Sequence, residues 1–289
     1  MDFKIVKKED KEFPEKLLKI KDPPDQLYVL GDVSLLNKKS IAIIGSRDCT
    51  MYGYEQAKKF AKELAKENIC IVSGMAIGID SAAHIGAKCE IGRTIAVLGS
   101  GFNNIFPEEN KDLFYEILEQ SGCIITEYAP DVEPSYNNFL SRNRIVSGLS
   151  EGVLVVEARY RSGTSITAKY AKQQGKKIFC IPSNLENTTG VGTGKLIQNG
   201  AKLVLNSNDI LLDIGIINDE QEEYVEEFEV EVKSEYKQIY NVLSKIPINV
   251  NEICKRTNKS IVEVNTTLTM LELEGLAKQV GVNEFVKVR

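Results

Sequence analysis

Four short segments rich in glycine and small polar residues have the composition of loops that hold a phosphate group. Each follows an apolar, β-branched run: Gly45-Ser46-Arg47, residues 73–80, Gly99-Ser100-Gly101 and Ser162-Gly163-Thr164-Ser165. Glycine lets backbone amides approach an anion closely, and Arg47 adds a fixed cation. A single loop of this kind is as well explained by a tight turn, but four at equivalent places favour a phosphate or nucleotide ligand. The loop residues that we expect to contact it are Gly45, Ser46, Arg47, Ser73, Gly74, Gly78, Ser162, Gly163 and Ser165.

The segment 138–149 adds an aromatic ring close to two arginines. Phe139, Arg142, Asn143 and Arg144 together are suited to stack on a base while holding phosphates. On a helix, side chains two residues apart point about 200° from each other, so we do not expect one ligand to meet both arginines. One of them is expected to pair with a buried carboxylate. Phe139 taken alone fits the hydrophobic core better than a base platform.

The sequence lacks the patterns of nucleotide hydrolysis and of metal chemistry. No G-x-G-x-x-G opens the first strand–helix unit, and Gly190-Val191-Gly192-Thr193-Gly194-Lys195 departs from a Walker loop at Thr189 and Leu196. Asp80 is the best candidate for a catalytic carboxylate, but its position equally suits a helix N-cap. His84 is the only histidine, and the six cysteines have no CxxC spacing. We therefore predict a binding protein with no catalytic residue, no cofactor and no metal.

The charge of the chain is distributed unevenly. The 36 basic and 41 acidic residues give a net charge of −5. Residues 219–231 hold eight of the acids and no base, whereas 1–218 balance. A neutral body can still carry a basic patch, so net charge does not exclude a nucleic-acid partner. The acidic run is typical of a solvated linker, with an acidic docking segment as the alternative.

No apolar run approaches the roughly 20 residues of a membrane helix. The start, Met1-Asp2-Phe3-Lys4, is charged where a signal peptide is apolar, and most cysteines lie inside apolar runs. The sequence thus predicts a cytoplasmic protein in a reducing compartment, with no membrane partner.

Seven short apolar runs would position the loops. They lie at 40–44, 69–72, 94–98, 123–127, 152–156, 177–181 and 202–205, and helical patterns separate them. Strands that are apolar nearly throughout are covered on both faces, so the pattern predicts an α/β fold with a doubly wound, mostly parallel sheet. We place this domain at 39–218, after a helical lead-in at 1–38 and before an acidic linker at 219–233.

Residues 234–289 show another pattern, that of three helices followed by a β-hairpin, which is a winged helix. Its third helix begins near Ser260 and carries Glu263, Glu272 and Glu274 but no Lys or Arg up to residue 276. A helix of that charge is repelled by the two phosphate backbones of a major groove. We therefore favour a protein-contact or structural winged helix over a DNA-reading one.

The motifs in their order resemble the DNA-processing protein A family (DprA, also called Smf). The match spans about 20 to 215, and 234–289 resembles the family's winged helix. The segments that carry it are Asp22-Pro23-Pro24, Gly45-Ser46-Arg47, the loop 73–80, Phe106-Pro107, the Arg-Asn-Arg of 142–144, Val156-Glu157-Ala158 and Ser162-Gly163-Thr164-Ser165.

The resemblance implies an extended Rossmann-like domain and a non-enzymatic, single-stranded DNA-binding protein. Such proteins form homodimers that protect incoming DNA and load the RecA recombinase onto it during natural transformation. Carried over by position, Arg47 and the Gly74 loop hold the DNA backbone, and the segment from Phe139 to Arg144 lines the same pocket. Glu108 and Ser183 depart from the family pattern, where a basic residue and a glycine are usual, and are expected to weaken DNA affinity.

Two other functions remain as alternatives. The related lysine-decarboxylase-like (LOG) family cleaves nucleoside monophosphates, but Pro182-Ser183-Asn184-Leu185-Glu186 lacks its Pro-Gly-Gly and Gly-Thr motif. The second alternative is a scaffold that recruits a protein partner through its winged helix.

Overall fold

A computed structural model of the chain describes residues 2–160, 162–184, 186–217 and 232–288. The chain divides into two compact units, Met1–Gln221 and Glu222–Arg289. The predicted acidic linker lies outside the described residues except for Val232 and Lys233. The domain bounds placed on either side of it therefore stay a prediction.

The first unit is built on one twisted sheet whose described strands run in the order β1-β2-β6-β5-β4-β3-β7-β8-β9. The strands from β3 to β9 are parallel, and all seven coincide with the predicted apolar runs. The doubly wound α/β prediction is confirmed. The strands are β1 (Lys4–Lys7), β2 (Gln26–Gly31), β3 (Ser40–Ile44), β4 (Cys70–Ser73), β5 (Thr94–Val97), β6 (Cys123–Thr126), β7 (Gly152–Val155), β8 (Lys177–Cys180) and β9 (Lys202–Leu203).

Helices cover both faces of this sheet. Ile41 and Ile43 of β3 belong to one buried layer, and Ala42 belongs to the opposite one. This alternation explains why the central strands are apolar at every position. The helices are α1 (Glu15–Leu18), α2 (Met51–Lys66), α3 (Ile79–Ala87), α4 (Lys111–Glu119), α5 (Tyr136–Gly148), α6 (Gly163–Gln173), α7 (Val191–Gln198) and α8 (Asn208–Asp213).

The lead-in at 1–38 was predicted to be helical, and the structure corrects this prediction. Its described part contains β1 and β2, which pair antiparallel with each other, and β2 pairs antiparallel with β6. Within 1–38 the helical structure is the four-residue α1 and a 3-10 helix at Val33–Asn37. The prediction failed at β1 because this edge strand buries only Val6, so it lacks the continuous apolar signal of a central strand.

The order of strands creates a switch point beside β3. The chain builds β4, β5 and β6 outward on one side of β3 and then returns to place β7 on the other side. At such a point the loops after neighbouring strands separate and leave a crevice at the carboxyl ends of the strands, where α/β proteins bind ligands.

The second unit has the predicted winged-helix arrangement. A three-stranded sheet in the order β10-β12-β11 packs with three helices around Ile253, Leu268 and Leu271. The predicted N-cap Ser260 accepts a hydrogen bond from the Glu263 amide, and the Glu263 carboxylate accepts one from the Ser260 amide. The elements are α9 (Ser234–Tyr240), β10 (Ile248–Asn249), α10 (Val250–Thr257), α11 (Ile261–Leu273), β11 (Ala277–Gly281) and β12 (Glu284–Lys287).

Candidate functional site

A pocket of about 360 Å³ lies at the switch point, where the loops after β3, β4 and β7 meet the start of α6 and one side of α5. Three of the four predicted loops contribute to it, together with the predicted segment of α5. The predicted site residues that line the pocket are Gly45, Ser46, Arg47, Gly74, Phe139, Arg142, Asn143, Ser162 and Gly163.

Four predicted site residues lie behind the pocket lining. Ser73 is buried and donates its hydroxyl to the Ile43 carbonyl at 2.6 Å. Gly78 has a φ of +83°, and a Cβ there would lie 2.5 Å from the Ser46 carbonyl oxygen, so glycine is required for the close approach of the two loops. Arg144 and Ser165 are also absent from the lining. Ser73 and Gly78 thus shape the loops of the pocket, and none of the four residues lines it.

The fourth glycine loop, Gly99-Ser100-Gly101, is structural. Ser100 donates its hydroxyl to the Asn104 carbonyl at 2.7 Å, and the Gly101 amide donates to the Val132 carbonyl at 2.8 Å. A Cβ at Gly99 would lie 2.6 Å from Phe139 Cδ1. This loop therefore supports the Phe139 ring from behind and is not part of the pocket.

An aromatic wall with a cation above it forms one side of the pocket. The half-buried Phe139 ring packs on Phe106, with 5.3 Å between the ring centroids. Arg47 Cζ lies 5.9 Å from the Phe139 centroid, within the range of a cation–π contact. Arg47 is exposed and forms no salt bridge with any residue that the structure describes. Phe139 is thus not a core residue, and it combines an accessible ring with a free cation.

Arg142 lies buried beneath the loop after β4. Its Nη1 donates to the carbonyl oxygen of Gly74 at 2.7 Å and to that of Val97, and its Nε donates to Asn143 Oδ1 at 3.2 Å. Burial lowers the pKa of Arg142 to about 10, and the Asp80 carboxylate acts in the opposite direction. The guanidinium stays charged at neutral pH, so it gives the floor of the pocket a fixed positive charge.

Asp80 holds the same loop from the other side. Its Oδ2 accepts hydrogen bonds from the Gly74 amide at 3.1 Å and from the Ala76 amide at 3.4 Å. Burial raises the pKa of this carboxyl, while the Arg142 guanidinium opposes the shift. A Cβ at Gly74 would lie 2.6 Å from Arg142 Nη2, which leaves room for glycine alone. Asp80 orders the loop, a role that differs from both the catalytic and the N-cap predictions.

The predicted cradle of backbone amides is partly used by the protein itself. The Ser46 amide donates to the Glu157 carbonyl at 2.8 Å, and the Gly74 amide donates to Asp80. The start of α6 is different, because its N-cap Ser162 makes no side-chain capping bond and the buried Ser162 Oγ has no partner among the described residues. A phosphate in the pocket therefore has Arg47 and the start of α6 as its available donors.

Arg144 pairs with a largely buried carboxylate, in keeping with the expectation for one of the two arginines. Its Nη1 and Nη2 donate to the two carboxylate oxygens of Glu127 at 2.6 and 2.7 Å. Its Nε donates to the Asp22 carbonyl oxygen at 2.8 Å and lies 3.2 Å from the Asp22 carboxylate. This bidentate pair joins α5 to β6 and to the lead-in. The proposed contact of Arg144 with DNA gains no support from this geometry.

The structure adds pocket residues that the sequence did not single out. Tyr136, at the start of α5, lines the pocket and is exposed, and Arg159 follows β7 and forms an ion pair with Asp48. Arg159 could have been found from its place after a strand end, as Arg47 was. Tyr136 offers no such signal because its exposure depends on how α5 packs.

Comparison with known protein families identifies the chain. A family model described as DNA recombination-mediator protein A matches residues 4–215, and one described as DprA winged helix domain matches residues 229–281. The chain belongs to the DNA recombination-mediator protein A (DprA/Smf) family. Protein Smf of Escherichia coli (strain K12) is 38% identical over 272 residues, which cover 92% of this chain and 73% of that protein. DNA processing protein DprA of Bacillus subtilis (strain 168) is 40% identical over 205 residues, 71% of this chain and 69% of that protein.

Solved structures of DprA proteins have the same fold. The X-ray structure of DprA from Streptococcus pneumoniae aligns with a TM-score of 0.70 at 37% identity and covers 74% of this chain and 75% of that one. A Helicobacter pylori DprA structure, described as giving insight into that protein's single-stranded DNA binding mode, aligns with a TM-score of 0.66 at 34% identity, covering 73% of this chain and 96% of that one.

The family assignment confirms the resemblance found in the sequence and does not favour the LOG alternative. Among the described helices, none combines the length and the apolarity needed to cross a bilayer. The described part of this DprA-family chain also brings together no group of three or more potential metal ligands.

Proposed function

We propose that this protein binds single-stranded DNA in the pocket at the switch point and acts as a recombination mediator. The observation that carries the proposal is the exposed Arg47 guanidinium above the Phe139 ring. An aromatic face accepts any base, and a cation beside it neutralises the adjoining phosphate. The Helicobacter pylori relative, which is described as a single-stranded DNA binder, supports the same function here.

The finer parts of the proposal follow the family resemblance. The protein protects incoming single strands and loads the RecA recombinase onto them during natural transformation, as a homodimer in the cytoplasm. It acts by binding and without catalysis, and this is consistent with the engagement of Asp80 and Arg142 in hydrogen bonds that hold the pocket together. The winged helix serves as a protein-contact module, in keeping with the acidic side chains of α11.

Fluorescence anisotropy with labelled oligo-dT and a matched duplex, each across a salt series, tests the DNA-binding proposal. Arg47→Ala should weaken single-strand binding by about 10- to 100-fold, the usual effect of losing a charged hydrogen bond. It should also reduce the slope of log K against log salt by about 0.7, because one phosphate contact is lost. Arg47 is exposed, so the variant should fold normally.

Lys66→Ala is the matched control. Lys66 is an exposed cation at the C-terminal end of α2, about 24 Å from the first turn of that helix. The Lys66→Ala variant should bind oligo-dT with the same affinity as the natural protein. Equal binding by the Arg47 and Lys66 variants would refute the pocket as the DNA site.

A further inference from the structure

An exposed ion pair between Arg159 and Asp48 forms part of the pocket lining. Arg159 follows β7 and Asp48 follows β3, so the pair bridges the loops after two neighbouring strands. The two side chains are 56% and 82% exposed. An ion pair this exposed is worth a factor of about five or less in an equilibrium constant. Either side chain can therefore exchange its partner at a small cost.

Arg159 is placed to meet the DNA strand that Arg47 holds. The two arginines lie on adjacent loops, and a hydrogen bond of 2.8 Å from the Ser46 amide to the Glu157 carbonyl joins these loops. Neighbouring strands of a sheet are about 4.8 Å apart, and a stacked nucleotide strand advances about 3.4 Å per nucleotide. A single strand held at Arg47 therefore brings an adjoining phosphate close to Arg159.

Asp48 competes with that phosphate for the same cation. Asp48 and Asp80 are the two carboxylates among the described lining residues. Asp80 is buried and accepts hydrogen bonds from the amides of the loop after β4, so it is not available to Arg159. The Asp48 carboxylate is mostly exposed and forms the ion pair with Arg159. The pocket thus contains a cation that suits a phosphate and an acid that already occupies it.

The Asp48 side chain can leave Arg159 without disturbing the loop. The backbone of Asp48 is held by Ser46, whose Oγ accepts a hydrogen bond from the Asp48 amide at 3.2 Å and donates one to the Asp48 carbonyl at 3.0 Å. The carboxylate takes no part in these bonds, and its exposure gives it access to water. A change of partner at Arg159 therefore needs only side-chain rotation.

We propose that Arg159 exchanges Asp48 for a backbone phosphate when single-stranded DNA enters the pocket, and that Asp48 thereby lowers the affinity for DNA. The inference rests on the proposed single-stranded DNA function and adds to it one phosphate contact and one competing carboxylate. The guanidinium gains a charge-assisted, bidentate contact with the phosphate, and the Asp48 carboxylate turns into solvent.

Anisotropy titrations of the full chain with labelled oligo-dT across a salt series measure both effects. Arg159→Gln should weaken binding by about tenfold, the effect of losing a charged hydrogen bond, and should reduce the slope of log K against log salt by about 0.7. Asp48→Asn keeps the size of the side chain but removes the competing charge, so it should strengthen binding by about threefold. Both side chains are more than half exposed, so each variant should fold.

Lys66→Gln and Glu67→Gln are the matched controls. They remove one positive and one negative charge at the C-terminal end of α2, where both side chains are exposed and lie outside the pocket lining. Both variants should bind oligo-dT with the affinity of the natural protein. If Glu67→Gln strengthened binding as much as Asp48→Asn, the gain would reflect net charge alone and the proposal would fail.

The variant that combines Asp48→Asn with Arg159→Gln separates partner exchange from simple repulsion. In the Arg159→Gln background no ion pair remains to be broken, so most of the gain from Asp48→Asn should disappear. Equal gains in both backgrounds would overturn the exchange, and an Arg159→Gln variant with unchanged affinity would overturn the phosphate contact. The proposed function fails separately, if the natural protein does not bind oligo-dT or if Arg47→Ala leaves its affinity unchanged.

Discussion

The three arginines predicted from the sequence have three different environments, and these decide what each can do. Arg47 is exposed and lies over an aromatic ring, Arg142 is buried under the loop after β4, and Arg144 makes a bidentate pair with Glu127. Arg47 can reach a ligand without giving up any ion pair that the structure describes. We therefore propose that Arg47 makes the DNA contact, while Arg142 holds the loop after β4 and Arg144 holds α5 in place.

The Phe139 ring should account for much of the affinity of the pocket. Phe139→Ala removes the stacking face and should weaken oligo-dT binding by about 1–3 kcal/mol, the usual contribution of one stacked base. Phe139→Tyr keeps the ring and should bind nearly as well. Anisotropy titrations of both variants provide the measurement, and an alanine variant with unchanged affinity would show that no base stacks there.

The single histidine should lower stability in mild acid. His84 is fully buried in α3, its Nδ1 lies 2.7 Å from the Thr94 hydroxyl oxygen, and burial lowers its pKa from 6.5 to about 3. Between these values the unfolded chain binds a proton that the folded chain does not. The free energy of unfolding should therefore fall as the pH falls below 6.5, by about 2 kcal/mol at pH 5.

Urea unfolding of the natural protein and of His84→Gln at pH 7 and pH 5 measures this effect. The natural protein should lose about 2 kcal/mol more than the variant over that range. Because the chain has one histidine, its ring signals in an NMR spectrum are unique, and they should not titrate between pH 7 and pH 5. A ring that titrates near pH 6.5 in the folded protein would contradict the burial argument.

Among the elements, α5 packs on β6 through core residues such as Ile145, and the ion pair of Arg144 with Glu127, just after β6, adds to this attachment. The Arg144 and Glu127 side chains are 8% and 15% exposed, so removal of one partner leaves the other charge buried. Arg144→Met should lower the free energy of unfolding by about 3–5 kcal/mol, and Arg144→Met combined with Glu127→Met should recover most of the loss. Urea denaturation of the single and double variants tests this.

The folded double variant should keep its affinity for oligo-dT, because neither residue lines the pocket. A double variant that is stable but no longer binds DNA would return Arg144 to the DNA site. A double variant that is as unstable as Arg144→Met would mean that the unpaired Glu127 charge is not the cause of the loss.

For the whole molecule, the pocket is built entirely from residues 44–167, within the first unit. A chain that ends at residue 217 should therefore bind oligo-dT with the affinity and the salt slope of the full chain. The same anisotropy assay with both chains decides this. A loss of affinity greater than tenfold, together with a shallower slope, would show that the winged helix touches DNA despite the acidic side chains of α11.

The central sheet and the winged helix could be predicted because their signals are local. Strands buried on both faces are apolar at each position, as in Ser40–Ile44, and amphipathic helices repeat their apolar residues at 3.6-residue spacing. β1 was missed because a four-residue edge strand that buries only Val6 carries no such signal. The antiparallel pairing of β2 with β6 joins residues about a hundred positions apart and has no local trace in either strand.

The loops that form the pocket follow from the sequence, since the glycines, Arg47 and the α5 segment are all recognisable there. Which arginine faces the ligand does not, because the choice depends on Glu127 and on the carbonyl groups of Gly74 and Val97. These groups reach α5 only through the folding of the sheet. The same holds for the Ser46 amide, which is engaged by the carbonyl of Glu157 after β7. Residue type and spacing show which groups can bind a phosphate, whereas burial and the partners brought by distant strands decide which of them remain free to do so.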